Sequence, residues 1–426
     1  MRRTLCFIMM LLVVLACSSL WAQKFTGDIR GTVADPTGAV IAGATVTAIN
    51  TQTGLSRTAT TDAQGEFAFT DLTVGTYEVH AQQGDFMETV TKGVELHVST
   101  TTTVNFQLKL GKKTEQVTVE ANAVQVETNS AAVGEVVEGQ QVRELPLNGR
   151  SFAQLTQLQP GVAAADNFNS RNKGLQAGVD FSVNGNQTTN NLFLVDGANN
   201  NDVGSNRTIL IYPSIDAIAE FKMLRNSYGP EFGQASGAII NITTRSGGNA
   251  FHGSVFYFGR NDALNAYEYF ASRRAQAAQA SGTVLPNNGK DVLRRNDFGY
   301  SFGGPIKKDK LFFFWSQEWN YERRGQTRTA CVPTAAERQG DFSQGISCGA
   351  SAPTLPGGGS IIANPNASGL LLMQLMPLPN VTPVAGSVNN WSQSLTSPVN
   401  WRQENLRIDY NITPRHTVMG RYTHDN

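Results

Sequence analysis

Asn296-Asp297-Phe298-Gly299-Tyr300-Ser301-Phe302-Gly303 puts an aromatic ring at every even position and Asp, Gly or Ser between them. Successive side chains of a strand point to opposite faces, so this stretch predicts a strand with one aromatic face and one small, polar face. Around a membrane pore the apolar face turns out to lipid and the polar face lines water. The period returns in Asn405-Leu406-Arg407-Ile408-Asp409-Tyr410, and Leu311, Phe313, Trp315, Trp319 and Tyr321 supply a third such face. Trp319 and Tyr321 fall where an interfacial aromatic belt would lie. A soluble sandwich can supply any one of these strands. The connections decide between the two: Gly303 to Lys310 is tight, 322–404 is long, and Asn411 to His416 is tight again. Alternating short turns and long loops is the pattern of outer-membrane barrels. Strands are expected at His252–Arg260, Arg295–Gly303, Lys310–Glu322, Glu404–Asn411 and Thr417–Tyr422.

At the other end, Arg2 and Arg3 precede an apolar run from Leu5 to Ala16, followed by Ser18, Ser19 and Ala22. That order marks a secretory signal, 1–22. The run is shorter than the ~20 residues of a membrane-spanning helix. Val14-Leu15-Ala16-Cys17 leaves lipidation at Cys17 as the rival processing. Loss of 1–22 removes two arginines and no acid, leaving 32 basic and 34 acidic residues and a formal charge of −2, which gives no footprint for nucleic acid. Only 16% charged residues and 41 glycines fit an exported β-rich chain. Cys331 and Cys348 then remain, and an oxidising compartment lets them pair as a disulfide, with two separate thiols as the alternative.

Between Phe25 and Lys109, short runs rich in Val, Thr and Phe are divided by turn residues, and Tyr77 and Val79 alternate with Glu78 and His80. This predicts an antiparallel β-sandwich over 25–110. Gly31-Thr32-Val33, Asp35-Pro36-Thr37-Gly38, Ile41 to Val46, Thr61 to Phe67 and Gly75-Thr76-Tyr77 resemble the carboxypeptidase regulatory-like domain. A zinc hydrolase of that class needs a His-x-x-Glu pair and a further ligand. None of His80, His97, His252, His416 and His424 has Glu three residues on, so they read as isolated surface histidines. No catalytic, cofactor or metal site is assigned.

Residues 111–122 read as a linker, within which Val117 and Val119 alternate with polar neighbours in a short amphipathic strand able to join another sheet's edge. An ordinary linker strand is the alternative. Residues 123–249 mix helix-like spacing over Val136 to Leu147, the strand Asn191 to Val195 ended by Asp196-Gly197, a short helix and strand from Ile215, and the run Ala235 to Gly247. Taken in order, these segments resemble TonB-dependent outer-membrane receptors of the Oar-like kind, with 123–249 as plug and 250–426 as the incomplete start of a barrel. The fold class is therefore mainly β: sandwich, α+β plug and the first strands of an antiparallel transmembrane barrel. Such receptors close with about 22 strands, and an open sheet edge is not tolerated in hydrocarbon, so the chain is expected to be a fragment.

The resemblance implies plug-gated uptake at the outer membrane, with the sandwich in the periplasm and outer-membrane lipid around the barrel. It makes Thr114, Glu115, Gln116, Val117, Thr118, Val119, Glu120 and Ala121 the contact for a TonB-type energy-transducing partner. The ligand class stays open among small molecules, saccharides and peptides. A surface or adhesion protein without transport is the second reading, and a secreted hydrolase the third.

Overall fold

The computed structural model describes residues 25–111, 116–120, 130–164, 179–204, 209–267, 269–280, 282, 286–349, 358–383 and 388–426. The signal segment 1–22 and Lys112, Lys113, Thr114, Glu115 and Ala121 lie outside the described residues.

The sandwich is formed by β1 (Gly27–Ala34), β2 (Thr45–Asn50), β3 (Ser56–Thr60), β4 (Glu66–Leu72), β5 (Gly75–Gln82), β6 (Glu88–Leu96), β7 (Thr101–Thr103) and β8 (Phe106–Gln107). One sheet runs β4-β1-β7, with β8 also on β1; the other runs β3-β2-β5-β6 and ends in β9 (Gln116–Glu120). Ile29, Val46, Phe69, Tyr77, Val79 and Leu96 fill the core between them. Tyr77, Val79 and Ala81 are buried in β5, as the alternation requires. The expectation of a wholly antiparallel sandwich needs correcting, because β7 and β8 run parallel to β1, and β9 runs parallel to β6. After β6 the chain crosses to the opposite sheet and returns alongside β1 in the same direction. At Gly31 a Cβ would stand 1.7 Å from the Val104 carbonyl oxygen, so this close approach admits only glycine.

Next come β10 (Val133–Glu138), β11 (Val162–Ala164), β12 (Phe181–Val183), β13 (Leu192–Val195), β14 (Ala198–Asn199), β15 (Ile218–Asn226) and β16 (Ile239–Thr244). Five of them form a central sheet in the order β10-β15-β16-β13-β14, while β11 pairs β12. The helix-like stretch after Val136 resolves into β10 followed by a six-residue helix, Gly139–Glu144. The expected helix at Ile215 is only a 3-10 turn, Ile215–Ala217, before β15. Ile218, Glu220, Phe221, Lys222, Met223 and Leu224 are all buried, and a strand covered on both faces shows no clean period in sequence. Asp196 and Gly197 have φ of 48° and 78°. Two positive-φ residues make the two-residue connection of a β-hairpin, and here they join antiparallel β13 and β14.

The last sheet takes β17 (His252–Asn261), β18 (Leu293–Lys307), β19 (Leu311–Ala330), β20 (Trp391–Thr413) and β21 (His416–Asp425) in sequence order. All five expected strands are present, three of them extending well past the expected ends. In β18 the odd positions Arg295, Asp297, Gly299, Ser301 and Gly303 are buried, while Tyr300 and Phe302 are exposed. Ser316, Glu318, Asn320 and Glu322 are likewise buried in β19, and Gln403, Asn405 and Arg407 in β20. Charge inside and aromatics outside invert the rule for water-soluble sheets and match a strand whose outer face meets lipid.

The residues fall into two compact units, one holding everything up to Phe256 with Gly299–Glu318 and Trp401–Asn426, the other Tyr257–Phe298 and Trp319–Asn400. In the second unit the ring of Phe298 stacks on Trp319 at 5.4 Å and meets Tyr321 edge-on at 5.6 Å. Its long connection carries a disulfide between Cys331 and Cys348. The nearby Glu337 carboxylate accepts N–H bonds from Thr334 and Ser347, both at 2.6 Å. Burial pushes its pKa up, but those donors outweigh it and hold Glu337 below the usual glutamate range. No helix among the described residues is long and apolar enough to cross a membrane.

Candidate functional site: an edge strand and a buried charge cluster

Of the residues assigned to the energy-transducing partner, Gln116 to Glu120 form β9. Instead of standing as a solvated linker, β9 pairs in parallel with β6, Val117 opposite Thr89 and Val119 opposite Thr91. Because Thr89 and Thr91 also lie opposite Ala81 and Val79, the two valines continue the sheet face that carries the sandwich core. They sit at its margin: Val119 keeps 48% exposure.

The sandwich is fastened to the central sheet through the turn after β6. His97 Nδ1 lies 2.7 Å from Glu220 Oε2, and the other Glu220 oxygen accepts the Val98 N–H at 2.6 Å. Lys222 donates to the Ser99 carbonyl at 2.9 Å. The hydrogen bond to Glu220 raises the His97 pKa above its usual value, burial opposes this, and the charges of Glu220, Glu95 and Glu138 add to the rise. Glu95, His97 and Glu138 place ligand-type atoms within 4.8 Å of one another. Such a cluster of acids around an imidazole favours the imidazolium form. The histidines are not isolated as expected: His80 pairs with Glu88 at 2.9 Å, and His424 with Glu404 at 3.0 Å.

A second group of charges joins the central sheet to the buried faces of β19 and β20 and to the half-buried Arg421 of β21. Asp196, at the tip of the β13–β14 hairpin, accepts the Thr244 N–H at 2.9 Å and hydroxyl at 2.7 Å. Its carboxylate also lies 3.2 Å from Arg407 Nη1 and 2.9 Å from Arg421 Nε. Arg407 is held in turn by Asp409 and by the Thr244 carbonyl, 2.7 Å away. Arg150 pairs with Asp216 and lies 3.7 Å from Glu318, while Ser214 donates to Glu318. Gln403 reaches the Tyr212 carbonyl and accepts the Ser214 N–H at 2.6 Å. These contacts were missed in sequence. Asp196 was legible only as a turn residue, and Arg407 only as one polar position of an alternating strand.

The hydroxyls of Thr244 and Ser214 are taken up as donors to the carboxylates of Asp196 and Glu318. The arrangement joins sheets through charges and hydrogen bonds, so the chemistry it offers is reversible attachment.

Residues 28–109 match the carboxypeptidase regulatory-like domain and residues 243–426 the outer membrane beta barrel domain. A TonB-dependent transporter, Oar of Myxococcus xanthus, is 32% identical over 328 residues, which is 73% of this chain. The chain spans 28% of the length of that relative. Among solved structures, the siderophore receptor PirA from Acinetobacter baumannii aligns with 68% of this chain and 31% of its own, at 16% identity and a TM-score of 0.39. The ferric enterobactin receptor PfeA from Pseudomonas aeruginosa aligns with 70% and 33%, at 13% identity and a TM-score of 0.36. The barrel-domain match and the transporter relative place the chain in the outer membrane.

Proposed function

Proceeding from a chain that joins a carboxypeptidase regulatory-like domain to an outer membrane β-barrel domain and is related to an Oar-type TonB-dependent transporter, we propose that it works as an energy-coupled outer-membrane receptor. In this reading the central sheet is the plug, and residues 114–121 are the contact for a TonB-type partner. The observation that carries it is the latch: Asp196 meets Arg407 and Arg421, and Arg150 meets Glu318, across the buried face of the barrel strands. A hydrophobic interface would expose apolar surface on opening. Charged and hydrogen-bonding groups can instead exchange their partners for water, so a plug held this way can be pulled aside and reseated. Energy enters by strand addition, because an extended segment with a one-sided apolar edge can pair with a foreign sheet.

The test is a proline at the coupling strand. Proline cannot donate to a ladder, so Val117→Pro in the receptor in its host membrane should abolish uptake while membrane insertion and ligand binding persist. Val119→Ile keeps the backbone donors and the apolar face and should change little. A proline variant that transports like wild type puts the coupling site elsewhere and favours a surface protein without transport.

A further inference from the structure

We infer that the sandwich is a berth for the coupling strand, so that its sheet edge and the energy-transducing partner compete for the same five residues. The inference rests on the reading of 114–121 as the coupling segment.

β6 already spends one edge on β5, and β9 occupies the other, becoming the outermost strand of the sheet. The five register pairs run from Glu88 opposite Gln116 to Lys92 opposite Glu120. This ladder is made of backbone groups, the same groups a foreign strand would use. Little side-chain packing reinforces it: Val117 and Val119 lie opposite threonines, and Val119 is about half exposed. Parallel pairs are also slightly weaker per residue than antiparallel ones. The seat is specific in register and light in apolar cover, as a strand that must leave requires.

Release matters for coupling. A pull on the seated strand loads β6 and the sandwich, and only the released strand passes force along the chain towards β10. Apparent affinity for the partner falls by the fraction of molecules in which the strand is out, so the sandwich sets how readily the receptor is engaged.

The experiment uses the full chain with Thr89→Cys and Val117→Cys, opposite each other in the ladder, and the periplasmic domain of a TonB protein as probe. A synthetic peptide of residues 114–121 is titrated in parallel, as is the wild-type chain under the same oxidant and reductant. The expected results are binding to the peptide, weaker binding to the wild-type chain, and a loss of at least about tenfold on oxidation of the double variant that reduction restores. Amide exchange at 116–120 in the partner-free chain should be slower than in the peptide. A locked chain that binds as well as the reduced one, or amides that exchange as fast as the peptide's, overturns the berth. So does a wild-type chain that never binds although the peptide does, because the seat is then permanent. Failure of the peptide itself to bind removes the coupling reading instead.

Discussion

Asp196 takes four contacts from three residues on three elements, and all come from donors or cations. Replacing it with alanine leaves buried Arg407 with Asp409 as its remaining counter-charge and takes from half-buried Arg421 its partner, and breaking a buried pair costs about 3–5 kcal/mol, an upper bound for a joint in which one pair survives. Asp196→Ala should therefore lower the denaturant midpoint of the chain in detergent, and a double-mutant cycle with Arg407→Met should recover part of the loss, the two sites being directly coupled. His97 gives a pH dependence with a definite sign. Its pKa is raised in the folded protein, so the contact with Glu220 contributes fully below about pH 6.5, the unfolded value, and is lost as pH rises through the raised folded value. The melting temperature should fall across that window in wild type more than in His97→Gln. Neither residue announced this in sequence. A buried ion pair is defined by who faces it, and Asp196 and Arg407 stand 211 positions apart.

Strands were the most legible elements, for a reason visible in β18. Phe298, Tyr300 and Phe302 face out while Asp297 and Ser301 face in, and a sheet with lipid on one side and water on the other imposes that contrast residue by residue. The contrast fades beyond the aromatic belt. Strand β19 continues to Ala330 through Arg323, Arg324, Gln326 and Arg328, and β20 begins at Trp391 among Ser, Gln and Thr; polar residues on both faces carry no period. The alternation in sequence therefore marks only the central part of each strand. β9 was visible as a strand but not as a paired one, because five alternating residues say nothing of which edge receives them. In the long connection the cysteines were the readable feature. Converting Cys331 and Cys348 together to serine should free about 3 kcal/mol of loop entropy in the unfolded chain. Faster protease cleavage between 331 and 349, against an unchanged rate in the sandwich, is the expected readout, with Glu337 and its donors retaining part of the order.

At the scale of the whole molecule, the sandwich owns its core. Ile29, Val46, Phe69, Tyr77 and Leu96 belong to a core cluster whose described members all lie in that domain, so residues 25–109 should fold alone and show a β-type far-UV spectrum with a cooperative melt; a coil spectrum would refute this. The barrel strands cannot do the same, since aromatic side chains such as Tyr257, Tyr300, Phe302 and Tyr321 are exposed while charges such as Arg295, Asp297, Glu318 and Arg407 are buried. One feature of the central sheet governs how force would leave it. Asp196 sits at the tip of a two-residue hairpin, and the bonds to Thr244, Arg407 and Arg421 all converge on that single carboxylate. Such a joint is brittle. Contacts spread along an interface yield one after another under a rising load, whereas contacts gathered on one group fail together once that group is displaced. Pulling on the chain from its N-terminal side should then give a single sharp rupture for this joint in a force trace and a shallow ramp in Asp196→Ala; under the function proposed above, the plug would then answer to a threshold of tension and hold under lesser, fluctuating pulls.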